Sequence, residues 1–157
     1  MNHGTQQEKS DLQFTKVVSA EGFPPFAPRP TVENFLLTKM QPFNDQPDEI
    51  RRGLDFAFGV DGGLGGFVML AHRDDILVGV LVMLKTGMSG FIPENILLYV
   101  GVDPELRGQG IGKKLIEASI AECEGKVKLH VEYDNPAKRL YERLGFASKY
   151  AEMRLDR

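Results

Sequence analysis

The sequence has no tryptophan and a single cysteine, Cys123, among its 157 residues. A lone thiol cannot close an internal disulfide, so the disulfide-stapled class of small secreted proteins is excluded and a reducing, cytoplasmic setting is the expectation. There is no excess of positive charge either: 19 Lys and Arg stand against 22 Asp and Glu, for a formal net charge of -3 and a pI near 5.6. Chains that grip a nucleic-acid backbone concentrate basic residues. Here they are scattered, so nucleic acid is not an expected partner. No apolar run approaches the roughly 20 residues that a bilayer span requires. Met1 to Ser10 is polar and lacks the apolar centre of a signal peptide. Neither a membrane nor a metal is called for.

What is present is ordinary in bulk and uneven in detail. Hydrophobic residues make up 42% and charged residues 26%, enough to build one compact core in a chain of this length. The expectation is a single domain over residues 1–157, with 1–12 flexible. Leu12 to Val18 reads as a strand. Gly22 to Pro30 holds four prolines and must be an extended loop. Thr31 reads as the N-cap of a helix reaching Lys39, and Pro47 opens a second helix with Asp48 and Glu49 in its first turn. Phe67 to His72 and Ile76 to Leu84, separated by Arg73-Asp74-Asp75, predict a hairpin. Ile96 to Val102 predicts a strand covered on both faces. Gly110 to Glu124 reads as helix, Val127 to Tyr133 as strand and Pro136 to Leu144 as helix. Phe146 to Arg157 is expected to supply one or two closing strands.

The most informative segment is Val102-Asp103-Pro104-Glu105-Leu106-Arg107-Gly108-Gln109-Gly110-Ile111-Gly112. It leads from a buried strand through a turn into a helix. A helix N-terminus presents unpaired N–H groups and a positive dipole end, which suits an anion. Glycines at 108, 110 and 112 let a ligand approach the backbone without meeting a Cβ. Inside a helix each would cost about 1 kcal/mol relative to Ala, and a bound pyrophosphate is a reason to accept that cost. Such a turn is also used simply to reverse the chain, or to bind some other phosphate ligand. The spacing is neither the dinucleotide fingerprint nor a nucleoside-triphosphate loop.

A second block lies downstream: Asp134-Asn135-Pro136-Ala137-Lys138-Arg139-Leu140-Tyr141-Glu142-Arg143-Leu144-Gly145-Phe146. Together the two blocks resemble the GCN5-related N-acetyltransferases. The first resembles that family's Arg/Gln-x-x-Gly-x-Gly/Ala motif after a strand ending Val-x-Pro. The second is similar to its Asn-x-x-Ala-x-x-Leu-Tyr-x-x-x-Gly-Phe. The match covers the C-terminal third, and the N-terminal half agrees only in its coarse order of elements. In register with Tyr141, the family asparagine falls on Asp134, with Asn135 one place later. Asn135 before Pro136 also makes a natural helix cap.

The resemblance implies an α+β fold with αβα layers: a mixed central sheet of six to seven strands flanked by about four helices. It implies acetyl-coenzyme A as co-substrate and an amine acceptor, small molecule or peptide, attacking the thioester directly in a ternary complex. The pantetheine arm would lie between the strand ending at Val102 and the next strand, bonded to the backbone of Val100, Gly101 and Val102, with Asp134 or Asn135 nearby. The pyrophosphate would rest on Arg107, Gly108, Gln109, Gly110, Ile111 and Gly112. Tyr141 would contact the coenzyme and act as the general acid that protonates the leaving thiolate. Glu94 is the candidate general base, acting through water, with Tyr99 and His72 behind it. Its competing reading is a solvated loop carboxylate. Dimerisation is common in the family. A non-catalytic acyl-coenzyme A sensor built on the same fold is the alternative function.

Overall fold

A computed structural model describes residues 10–157 of the chain. Of the segment expected to be flexible, residues 1–9 lie outside the described residues. The element order is β1 (Gln13–Val17), α1 (Arg29–Lys39), α2 (Pro47–Ala57), β2 (Gly66–Arg73), β3 (Ile76–Lys85), β4 (Asn95–Val102), α3 (Ile111–Ala121), β5 (Val127–Leu129) and α4 (Ala137–Arg143). The five strands form one sheet in the order β1-β2-β3-β4-β5. The first three pairings are antiparallel and β4–β5 is parallel, so the sheet is mixed.

Alternation along the strands divides the core into two layers. On one face Val68, Leu70, Val80, Val82 and Tyr99 meet Val32, Phe35 and Leu36 of α1 and Ile50, Leu54 and Ala57 of α2. On the other, Met69, Ala71, Leu81, Met83 and Leu97 meet Ile111, Leu115 and Ile116 of α3 and Tyr141 of α4. The three-layer arrangement is therefore as expected. β3 is the shared wall: Val80, Leu81, Val82 and Met83 are all 1% exposed or less. Each fully buried aliphatic side chain contributes about 1.5–3 kcal/mol relative to exposure.

Three readings are corrected. Helix α1 starts at Arg29 with Pro28 in the cap position, so Thr31 is already inside it. Pro30 explains this, because proline fits the first helical turn, where its missing N–H would have had no partner. The closing strands do not form, and the sheet has five strands rather than six or seven. The β4–β5 ladder spans only Asn95–Leu97 against Val127–Leu129, so the predicted strand to Tyr133 is cut to three residues. That short edge offers little template for another strand. Residues 147–157 carry no regular structure and are exposed, with Tyr150, Met153 and Leu155 at 67%, 92% and 81%.

A β-bulge in β4 was not legible in sequence. Val82 faces Tyr99 and the next β3 residue, Met83, faces Leu97, leaving Leu98 without an opposite number. One extra residue reverses the alternation. Leu98 and Tyr99 therefore both turn to the α1–α2 face, while Val100 and Val102 join the α3–α4 face. Gly53 of α2 sits directly over the bulge, where a Cβ would lie 2.9 Å from Leu98 Cδ2 and 3.0 Å from Tyr99 Cε2.

Candidate active site

The site is built from the C-terminal half of β4, the turn that follows it, and the start of α4. On its β3 side β4 is paired as far as Val102, which faces Gly79. On its β5 side pairing stops at Leu97. From Tyr99 to Val102, β4 therefore has a ladder partner on one flank and an unpaired edge, the cleft where β5 parts from it, on the other. Val100 and Val102 are half-buried, and Gly101 is buried because Met40 and Phe35 close over it. A Cβ on Gly101 would stand 3.0 Å from Met40 Cγ. An extended acyl chain laid in this cleft would find unpaired backbone donors and acceptors, as an added strand does at a sheet edge.

At the end of β4 the chain makes a short 3-10 turn, Pro104–Leu106, capped by the Asp103 carboxylate, whose Oδ1 accepts from Glu105 N–H at 3.1 Å. Arg107 follows, exposed, in an extended conformation. Gly108 and Gly110 both adopt the left-handed conformation, with φ of 81° and 75°. A Cβ at either would meet nothing within 4 Å. The conformation, not crowding by protein, demands glycine at these two positions. Gly110 caps α3, and its carbonyl takes the Lys114 N–H. Ile111 behind it is 2% exposed and anchors the helix in the core. Open space in front of a helix start whose first N–H groups are free is what a diphosphate needs. Gly112 has a different job: its Cβ would lie 3.2 Å from Leu140 Cδ2, so it lets α4 pack closely on α3.

At the start of α4, Tyr133, Asp134, Asn135, Pro136, Lys138, Arg139 and Glu142 line an open hollow of about 510 Å³. Asn135 is committed to local structure, its Oδ1 accepting from Ala137 N–H at 2.9 Å. Asp134 beside it is exposed. Tyr141 is 8% exposed and lies in the same apolar cluster as Val100, Val102, Leu129 and Val131, the residues that flank the cleft. Phe146 meets its ring edge-on at 6.1 Å. Burial pushes the Tyr141 phenol up to about 12, so it is a proton carrier at neutral pH.

The other candidates are each engaged by a protein partner. Glu94 precedes β4 at the end remote from the glycine turn. Its Oε2 accepts from Lys126 N–H at 2.5 Å, and that bond holds its pKa below the ordinary carboxylate value. Gly125, at φ 81°, leaves no room for a side chain against the same carboxylate. Glu94 thus ties the loop before β4 to the connection from α3 to β5. His72 is 8% exposed and bonded on both ring nitrogens, to the Asp74 carbonyl at 2.7 Å and the Thr15 hydroxyl at 2.8 Å. Tyr99 Oη donates to Asp45 Oδ2 at 2.6 Å. Burial first, and then Asp45, push that phenol well above its ordinary value. Among the described residues no group of three or more His, Cys, Asp or Glu could hold a metal ion, and no helix is long and apolar enough to cross a membrane.

Two features escaped the sequence. One is the bulge at Leu98, which sequence alternation alone conceals. The other is Arg73, at the end of β2, whose Nη1 donates to Gln109 Oε1 at 3.0 Å. No local pattern links residues 36 positions apart.

Residues 65–148 match the family model of the acetyltransferase (GNAT) domain. The chain is 32% identical over 122 residues to a mycothiol acetyltransferase of Nocardiopsis dassonvillei, an alignment covering 74% of this chain and 33% of that one. It is 43% identical over 56 residues to a 5-NmdU N-acetyltransferase of Pseudomonas phage PaMx11, covering 34% and 40%. The matched part thus spans well under half the length of these relatives. Among solved structures, an aminoglycoside N-acetyltransferase in complex with coenzyme A superposes with a TM-score of 0.65 at 14% identity, covering 94% of this chain and 95% of that one. A GNAT family protein of Streptococcus pneumoniae TIGR4 gives 0.62 at 17% identity, covering 94% and 99%. The glycine turn, the cleft beside β4 and Tyr141 all fall inside the matched segment, and the chain belongs to the GNAT acetyltransferase family.

Proposed function

We propose that this protein is an acetyl-coenzyme A-dependent N-acetyltransferase. The observation that carries the reading is the parting of β4 from β5 beyond Leu97 and Leu129, with an open left-handed glycine turn at one end and Tyr141 in its wall. The coenzyme supplies an activated acetyl thioester. The N–H groups at the start of α3, with Arg107, hold its diphosphate. The free flank of Leu98 to Val102 holds the pantetheine arm, and a backbone N–H there offers a donor to the oxyanion formed on attack. The acceptor amine, entering as the free base, attacks the thioester carbonyl; the C–N bond forms, the C–S bond breaks, coenzyme A leaves as the thiol once protonated, and the proton given up by the amine passes to solvent, from which the donor is restored.

Tyr141 is the proton donor in this reading. With its pKa raised to about 12 it stays protonated at neutral pH, but transfer to a thiolate of pKa about 8.5 is uphill by about 5 kcal/mol. Its contribution therefore belongs at the low end of the usual 10²–10⁴ for general acids. Glu94 takes no part. The α1–α2 side of the bulge, where Asp45 meets Tyr99, faces the acceptor. The relatives' names span an aminoglycoside and a modified nucleoside, so the acceptor class follows from α1, α2 and their loops rather than from the shared segment.

The test is thermal unfolding with and without acetyl-coenzyme A. At 100 times the dissociation constant, binding adds about 2.7 kcal/mol and raises the midpoint by a few degrees. Free adenosine nucleotides should not reproduce the rise. No rise at millimolar coenzyme would remove this reading. A rise with no turnover on any amine would instead favour an acyl-coenzyme A sensor.

A further inference from the structure

The glycine turn has little to hold it in shape. Gly108 and Gly110 carry no side chains, and open space lies where their Cβ atoms would be. Arg107 is exposed. Among the described residues, the one side-chain hydrogen bond reaching residues 107–110 from another part of the chain comes from Arg73. That arginine ends β2, just before the two-residue turn Asp74–Asp75, in which Asp74 adopts φ 49°. The hairpin tip thereby holds the guanidinium against Gln109, the residue between the two left-handed glycines.

The guanidinium has three further features. Its Nε is buried and has no hydrogen-bond partner. No carboxylate among the described residues forms an ion pair with it. Its planar fork can bond Gln109 through one nitrogen and still direct charge at the turn. A buried donor left unbonded weakens folding, so stability alone does not account for the arrangement.

Resting on the acetyl-coenzyme A reading above, we propose that Arg73 is a positioning residue for the diphosphate site. By fixing the Gln109 side chain it holds the Gly108–Gly110 backbone in its anion-accepting shape before the coenzyme arrives. Its unneutralised charge adds to the positive field there. Preorganisation of this kind lowers the cost of binding and leaves the acyl-transfer step alone.

The experiment is calorimetric titration of acetyl-coenzyme A into the wild type, Arg73→Met, Arg73→Lys, Gln109→Leu and the Arg73→Met/Gln109→Leu double variant. Arg73→Met should weaken binding about tenfold, and Gln109→Leu by a smaller factor. The double variant should be little worse than Arg73→Met, because both changes remove one interaction. Arg73→Lys should recover part of the loss. The same factors should appear with dephospho-coenzyme A, which keeps the diphosphate. With an acceptor in hand, the effect should fall on KM for the coenzyme and leave kcat within about twofold. Unchanged binding in a folded Arg73→Met overturns the proposal, as do multiplicative effects in the double variant. So does a loss confined to ligands bearing the 3′-phosphate. Were Arg73→Met to unfold, unaltered binding by Gln109→Leu would overturn it equally. A wild type that binds no acetyl-coenzyme A sinks the functional reading itself, and with it this one.

Discussion

The two flanks of β4 differ in what they do with the same backbone. Toward β3, seven residue pairs run from Asn95 to Val102, interrupted only by the bulge at Leu98. Toward β5, three pairs end at Leu97. The closed flank is continuous with side chains such as Leu81, which is fully buried. The open flank is bordered by a turn that the rest of the molecule barely touches. A strand bonded on one side can leave the other free only because the first side is strong enough to hold it straight. The rigid ladder is thus the precondition of the cleft.

That contrast can be broken from either side. The largest effect should come from Gly110→Glu, which sets a carboxylate where the diphosphate would rest and forces a side chain onto a φ of 75°. Like-charge juxtaposition costs several kcal/mol, so affinity for acetyl-coenzyme A should fall by about 10³ or more, read by calorimetry on a variant whose circular dichroism is native. Leu81→Ala attacks the closed flank. It should cost about 2–5 kcal/mol of stability in urea unfolding, and coenzyme affinity should stay near wild type wherever the variant is folded.

Tyr141→Phe sharpens the comparison, because it leaves the ring in the wall of the cleft and removes only the hydroxyl. It should lower kcat about 10²-fold with little change in KM. Its alkaline behaviour should change too. The folded phenol titrates near 12 and an unfolded one near 10, so the native state holds the proton longer. Stability therefore falls as pH rises from about 10 to 12, by an amount on the order of 3 kcal/mol for this group. Denaturation of Tyr141→Phe should lack that component. The smallest effect belongs to Glu94→Gln, which keeps an acceptor for Lys126 N–H and should leave kcat within about twofold. A loss of 100-fold or more there would restore Glu94 as the base.

The glycine turn was legible because it breaks a local rule: glycines at a helix start need a reason. The reason differs along the motif, however. Gly108 and Gly110 serve the backbone conformation, whereas Gly112 serves the contact with Leu140, a distinction that depends on where α4 lies. The hairpin and α2 were readable from alternation, helical spacing and an opening proline. The closing strands were not, because residues 147–157 hold one strong strand former, Tyr150, among Ala, Lys, Glu, Asp and Arg, and find no partner edge. The Leu98 bulge is hidden because all its neighbours are apolar, so a reversal of facing leaves no trace in the pattern. The bond that holds Glu94 was hidden because the Lys126 N–H lies 32 residues away, across the whole of α3.

The chain's lone sulfhydryl also shapes how turnover can be followed. Cys123 is half-buried, its Sγ donating to the Ser119 carbonyl at 3.4 Å, and burial pushes its thiol pKa up. Only the thiolate attacks a disulfide reagent, so chromogenic disulfides should report released coenzyme A over a slow, stoichiometrically small protein background.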